Sequence, residues 1–192
     1  MSTTIIAGAN IFDATGAAPY TGDVAVEAGR ITAVSRTPGQ ISRAGCQVID
    51  AKGLFLMPGM VEGHAHLSFD NVSGPEDLMR PPTEEHVLLT ARVAKRLLDQ
   101  GFTSAYGASE AKLRLGVAIR NEIDAGRIPG PRVRAGSLEI TVTGGMGDES
   151  RNHLKREGVS IVVDGPEEMR KAVRMSCREG CDNIKLDVSG DP

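Results

Sequence analysis

Residues 57–66 read Met57-Pro58-Gly59-Met60-Val61-Glu62-Gly63-His64-Ala65-His66, and they hold two of the chain's four histidines, one residue apart, at the end of an apolar run. On a β-strand, residues i and i+2 point to the same face. His64 and His66 therefore project together, about 6–7 Å apart along the strand. Two imidazoles so placed can close on one metal ion, each nitrogen about 2.0–2.1 Å from it. The alternative is two polar residues in a strand-end loop, since His-x-His arises often by chance. What surrounds the pair has to decide.

Downstream of the pair the chain alternates strands and helices. Pro81-Pro82-Thr83-Glu84-Glu85 opens a helix with Thr83 as its N-cap and acidic residues in the first turn. Val87, Leu88, Ala91, Ala94, Leu97 and Leu98 then recur at helical spacing until Gly101. Strands are predicted over residues 102–106, 131–136 and 183–188, with helices near 113–125 and from Pro166 to about Gly180. The second of these helices places Met169, Val173 and Cys177 on one face. Counting the His64 strand, that makes four strands, the first three each followed by a helix. A (β/α)₈ barrel uses about 250 residues for eight such units. Residues 58–192 are therefore expected to be the N-terminal half of a TIM-like barrel, a parallel sheet with right-handed crossovers. The competing architecture is a complete four-stranded doubly wound sheet. The sequence stops just after a strand, at Gly190-Asp191-Pro192, without a covering helix. A parallel strand is rarely left uncovered, so a truncated portion of a longer protein, or half of a two-piece assembly, is expected.

Upstream, residues 1–57 read as a small β domain. Residues 3–7 are a β-branched run ended by Gly8, and residues 22–34 alternate around Gly29 as a hairpin, with Val24, Val26 and Ile31 sharing the alternation. Residues 47–50 form another strand before the Lys52-Gly53 turn. A unit this small buries little and is expected to lean on the rest of the chain.

Composition narrows the function. Hydrophobic residues at 40% and charged residues at 24% describe a globular chain. A net charge of -3 with no basic run argues against a nucleic-acid partner, and 3% aromatics without tryptophan argue against a base-stacking surface. No apolar run reaches membrane-spanning length and residues 1–7 do not resemble a signal peptide, so a cytoplasmic protein is expected. Cys46, Cys177 and Cys181 form no CxxC pair and read as reduced thiols. Cys177 and Cys181 read as buried apolar residues, a metal pair being the alternative.

Lys185 is the second informative residue. In the last strand Ile184, Leu186 and Val188 share one face, and Lys185 shares the other with Asp187. Strands of parallel sheets are normally apolar on both faces. Two readings stand: a buried Lys–Asp ion pair, or a lysine that takes up carbon dioxide as a carbamate and becomes a carboxylate-like metal ligand. A free lysine, with a pKa of about 10.4, is almost wholly protonated, so metals would have to hold the modified form.

Several segments together resemble the metal-dependent amidohydrolases: Asp50-Ala51-Lys52-Gly53, the run from Met57 to His66, Gly101-Phe102-Thr103-Ser104, Gly130-Pro131-Arg132, Thr143-Gly144-Gly145 and Asn183-Ile184-Lys185. The similarity covers nearly the whole chain in order. It is nearest to the branch of imidazolonepropionase-like proteins and Xaa-Pro carboxypeptidase-type enzymes, whose barrel carries a composite β-sandwich built from both chain ends. The resemblance implies that His64 and His66 bind the more buried of two divalent ions, most simply Zn²⁺, that carboxylated Lys185 bridges both, and that two further histidines and an aspartate come from later strands. It departs at Tyr106-Gly107, where relatives usually carry Arg-Asp, and at Met146, where a histidine is common. Of the remaining histidines, His86 reads as a helix-surface residue, and His153 lies in a loop from which it could reach substrate.

The activity so implied is hydrolysis of a carboxamide C–N bond, in a dipeptide-like or N-acyl amino acid substrate, by a metal-bridging hydroxide. A strand-eight aspartate would move the proton. Glu62, on the face of His64 and His66, reads as a hydrogen-bond acceptor that orients them. Thr143, Gly144 and Gly145 sit where barrel enzymes place substrate contacts; a plain flexible connection is the other reading, and no Gly-Lys-Ser/Thr follows to suggest phosphate binding. Expected partners are a small-molecule amide, the remainder of the barrel and further copies of the chain as a homo-oligomer. The alternatives are a cyclic-amide hydrolase or deaminase on the same barrel, the single-metal deaminases generally lacking the bridging lysine, or a non-catalytic half-barrel.

Overall fold

In the computed structural model, which describes residues 3–153 and 158–190, the chain divides after Pro58 into two units, Met1–Pro58 and Gly59–Pro192. The first contains β1 (Thr4–Ile11), β2 (Tyr20–Glu27), β3 (Arg30–Ser35), β4 (Gln47–Asp50) and β5 (Phe55–Leu56). They form one five-stranded sheet in the order β3-β2-β1-β4, with β5 also on β1. β2 runs antiparallel to β1 and β3, and β4 and β5 run parallel to β1. A sandwich needs a second sheet, and the described residues of this unit form a single mixed one.

The expected hairpin turns at Ala28-Gly29, both at positive φ (49° and 74°), the mark of a two-residue type I′ turn. Val24 is buried and Val26 half-buried, whereas Ile31 on the edge strand is exposed. Strict alternation would put Ile5, Ala7, Ala9 and Ile11 on one face. A register shift between Ile6 and Ala9, with Gly8 at φ +71°, divides them. Ile5 and Ala7 pack with Ala25, while Ala9 and Ile11 join Val24 and Ala51 on the other side. The bulge is pinned from β2. Asp23, without exposed surface, accepts the amides of Gly8 (2.8 Å) and Gly39 (2.7 Å), and Arg43 lies at 3.4 Å. Burial pushes its carboxyl up, but these three donors outweigh burial and hold it below the ordinary range.

The second unit runs β6 (Met60–Ala65), α1 (Pro75–Met79), α2 (Thr83–Asp99), β7 (Phe102–Gly107), α3 (Leu115–Asp124), β8 (Arg132–Arg134), β9 (Gly136–Thr141), β10 (Ser160–Val162), α4 (Pro166–Arg178) and β11 (Asn183–Leu186). Its strands lie in two three-stranded parallel sheets, β6-β7-β8 and β10-β9-β11. Ala65, Ala105 and Val133 from the first sheet pack on Val93, Leu89 and Leu97 of α2 and Ile123 of α3. Ile140 of β9 packs on Met169, Ala172 and Val173 of α4.

Several local expectations change. The strand expected over residues 131–136 is interrupted at Ala135 and continues as β9 to Thr141, where the half-buried Glu139 interrupts the apolar pattern that would have marked it. A further short strand not expected from sequence, β10, lies at Ser160–Val162. Thr83 lies inside α2 after Pro82, with no side-chain cap bond. His86 is not on the surface: it is 1% exposed, and its Nε2–H donates to the Ser68 carbonyl at 2.8 Å. Cys177 turns outward and is exposed, and Cys181 is half-buried, so neither is a buried apolar residue.

The two sheets of this unit meet where β7 ends and β8 gives way to β9. A Cβ on Gly107 would stand 2.8 Å from the Arg134 carbonyl oxygen and 2.8 Å from the Gly136 nitrogen; one on Gly136 would stand 2.6 Å from the Gly107 oxygen. Only bare backbones approach this closely. Asn183 Nδ2 closes the junction by donating to the Gly107 carbonyl at 2.8 Å. Gly136→Ala is expected to cost about 1–3 kcal/mol by overpacking against backbone that cannot yield. Gly74→Ala, with nothing within 4 Å of the added carbon, should stay within about 0.5 kcal/mol of wild type. Paired urea titrations check this, and equal midpoints for the two variants would contradict it.

Candidate functional site

The histidine pair sits where β6 ends, His64 on its penultimate residue and His66 one residue past it. Their ring centroids are 5.0 Å apart, at an interplanar angle of 63°. Phe69 stacks on His66 with ring centroids 4.5 Å apart, which leaves the ring little freedom to turn. His66 Nδ1 lies 3.2 Å from the carbonyl oxygen of Ser109 and 3.0 Å from its hydroxyl. A carbonyl can only accept, so Nδ1 carries the proton and Nε2 offers its lone pair, the arrangement a metal-ligating histidine needs. Burial pushes the His66 ring below its usual value, the charges of His64 and Lys185 push the same way, and the Ser109 carbonyl and Asp187 oppose them. The ring is neutral at neutral pH.

Lys185 comes to the same place from β11, pairing in register with Glu139 of β9. His64 and Lys185 line one cleft of about 280 Å³, with Gly63, Tyr106, Ala108 and Asn183. Lys185 Nζ is 3.5 Å from Asp187 Oδ1, so the ion-pair reading describes the lysine as it stands here. The other Asp187 oxygen is buried without a hydrogen-bond partner among the described residues. Glu139 lies between the two sheets. Its Oε1 accepts from Ser109 Oγ (3.0 Å), its Oε2 from Ser160 Oγ (3.2 Å), and Asp187 faces it. Burial and the Asp187 charge push its carboxyl up, against the two hydroxyls.

This donor set fits a divalent ion in part. Two imidazoles converge, one with its tautomer fixed for ligation, and an orphaned carboxylate oxygen lies nearby. Among the described residues no three His, Cys, Asp or Glu side chains gather closely enough to hold an ion unaided.

The other expected residues fall around this centre. Glu62 Oε1 accepts the backbone amide of His64 at 3.0 Å, which steadies the strand end rather than either ring. The loop after β9 is wired rather than loose: Thr143 donates its amide and hydroxyl to Asp164, and the Gly144 amide donates to Asp148 at 2.8 Å. Gly145 must be bare, because a Cβ would fall 2.2 Å from Thr141 Oγ1. His153 lies in an exposed turn, and among the described residues no bond joins it to the histidine pair. Ser109 and Glu139 were not singled out from sequence. The signal for Glu139 was present, an acidic residue within a β-branched run, and of the same kind as the one that drew attention to Lys185.

Residues 55–190 match the family described as the amidohydrolase family. The chain belongs to that family. Ochratoxinase of Aspergillus niger is 30% identical over 162 residues, covering 70% of this chain and 31% of that protein. N-acyl-D-aspartate deacylase of Alcaligenes xylosoxydans xylosoxydans is 46% identical over 63 residues, covering 32% of this chain and 12% of that protein. Among solved structures, a prolidase complexed with N-methylphosphonate-L-proline superposes with a TM-score of 0.84 at 25% identity, covering 98% of this chain and 47% of that one. The chain thus spans less than a third of the length of these two curated relatives and about half of this solved structure.

This amidohydrolase chain also buries a carboxyl that the site does not use. Glu110 is 1% exposed, and neither oxygen has a hydrogen-bond partner among the described residues. Burial pushes it up to about 7, with nearby Ser68 offsetting only part of the cost. The folded state therefore holds this proton more tightly than the unfolded chain, whose carboxyl titrates near 4.5. Stability is highest below pH 4.5 as far as this group is concerned, falls as pH rises toward about 7, and then levels off. Glu110→Gln should flatten that fall. Melting temperatures of both proteins between pH 4.5 and 8 check it, and identical slopes would contradict it.

Proposed function

We propose that the chain supplies the first ligand pair and the bridging lysine of a two-metal hydrolase that cleaves carboxamide C–N bonds in dipeptide-like or N-acyl amino acid substrates. One observation carries the reading: His66 is held with Nε2 free, 5.0 Å from the His64 ring, beside the cleft that His64 and Lys185 share. The names of a prolidase and an N-acyl-D-aspartate deacylase among similar proteins support the substrate class. Membership of the amidohydrolase family supports the metal.

His64 and His66 would hold one ion, and Lys185, as its carbamate, would hold two, most simply Zn²⁺. Bound divalent ions supply Lewis acidity, which lowers the pKa of water to near 7 and polarises a carbonyl oxygen. The chain's own residues prepare for this. Ser109 and Phe69 fix the His66 ring. Glu62 steadies the end of β6 through the His64 amide. Carbamate formation needs the neutral amine: the Lys185 ammonium gives up one proton, Nζ bonds to the carbon of carbon dioxide and a second proton leaves, so the Lys185–Asp187 ion pair has to break. The remaining ligands and the proton-transfer carboxylate would come from outside the described residues, in the remainder of a barrel of which residues 58–192 would be the first half. The neighbours' shared architecture supports that arrangement, and a homo-oligomer remains part of the proposal.

Metal analysis of the full-length protein should find about two ions per chain. His66→Ala should weaken metal binding by more than the roughly 10–100-fold typical of losing an outer partner. Lys185→Ala should abolish hydrolysis of N-acyl amino acids and recover part of it with a short carboxylate such as acetate. Metal-free enzyme should need bicarbonate as well as zinc to regain activity. A metal-free native protein, or a fully active Lys185→Ala variant without added carboxylate, would contradict the proposal.

A further inference from the structure

We infer that Glu139 is a positioning residue for His66, acting through Ser109 by taking the one proton the serine hydroxyl can donate. This deepens the metal-site reading and rests on it for its purpose. Its geometry stands independently.

A serine hydroxyl has one proton to give and two lone pairs with which to accept. Ser109 Oγ lies 3.0 Å from Glu139 Oε1 and 3.0 Å from His66 Nδ1. With its proton donated to the Glu139 carboxylate, the hydroxyl can meet His66 Nδ1 only as an acceptor. Nδ1 must then carry the ring proton, and Nε2 is bare. Without the carboxylate the hydroxyl is free to turn and donate to Nδ1. That reversal moves the ring proton to Nε2, where it blocks a metal. The Ser109 carbonyl, 3.2 Å from Nδ1, still favours a proton there, so removal of Glu139 should mix the two tautomers rather than replace one by the other.

Glu139 is held for this task from another strand. Ser160 Oγ on β10 donates to Oε2 at 3.2 Å. Gly147 leaves room for that contact, since a Cβ there would fall 2.1 Å from Ser160 Oγ. The relay therefore links the loop after β7, β9 and β10 to a single imidazole.

The test is the tautomer of His66, read by nitrogen-15 NMR on metal-free full-length protein at a pH where the ring is neutral, with its signals assigned by their loss in His66→Gln. Wild type should show the proton on Nδ1. Glu139→Ala should show a second population protonated at Nε2, with zinc affinity lower by roughly 10–100-fold in a chelator competition. Glu139→Gln retains an acceptor and should keep the wild-type tautomer. The decisive variant is Ser109→Ala with Glu139→Ala. It removes the misdirected donor and leaves only the carbonyl, so Nδ1 protonation should return. A purely structural role for Glu139 predicts no such recovery. An unchanged tautomer in Glu139→Ala, or a double variant as mixed as Glu139→Ala, would overturn the inference. A wild-type protein that binds no zinc while the tautomers respond as described would instead overturn the metal-site reading and leave this one standing.

Discussion

His66 Nδ1 against Ser109 is the contact on which the rest of the site depends. An imidazole has two nitrogens and, when neutral, one proton, so a partner that can only accept decides which nitrogen is left for a metal. Ser109 supplies that partner from the loop after β7, and β7 is hydrogen-bonded parallel to β6. The fold thus brings the anchor to the ring, and Phe69 stacks against the ring to keep it there. Among the described residues His64 has no such anchor, and it lies exposed at the strand end, so within the pair His66 is the prepared ligand.

The second constraint is the break at Ala135. β8 pairs with β7, while β9 pairs with β10 and β11. One length of chain therefore joins the sheet that carries the histidines to the sheet that carries Lys185. Asp182 secures the crossing: it accepts the Ala135 amide at 2.7 Å, and Arg120 from α3 holds it at 2.6 Å. The bare backbones of Gly107 and Gly136 let the two sheets approach. Without that approach, Glu139 could not lie between Ser109 and Asp187.

Much of this could be read from the residues, for physical reasons that also explain the failures. His64-Ala65-His66 was legible because strand alternation is local. Lys185 was legible because a charge on an apolar strand has to be accounted for. The helix of α2 followed from its apolar periodicity and its stop at Gly101. His86 was misread because a helical pattern gives the face, but not what packs on it; here the segment after His66 covers it and takes its proton through the Ser68 carbonyl. The relay through Ser109 and Glu139 was invisible because its members lie 43 and 30 positions apart in sequence, and only the parallel pairing of β6 with β7 and the sheet junction bring them together. The continuation of β1 past Gly8 was missed because the glycine reads as a stop, whereas here it sits at a bulge that divides one strand between two apolar clusters.

In the proposed site, His66 Nε2, the His64 ring and Lys185 face a common metal position. Crystals of the full-length protein grown with zinc and bicarbonate, with anomalous differences measured at the zinc edge, test it most directly. Peaks are expected within about 2.0–2.2 Å of a His64 nitrogen and of His66 Nε2, with density for a carboxylate on Lys185 Nζ reaching the same ions. Zinc bound elsewhere, or His66 ligating through Nδ1 with its Ser109 contact broken, would contradict it.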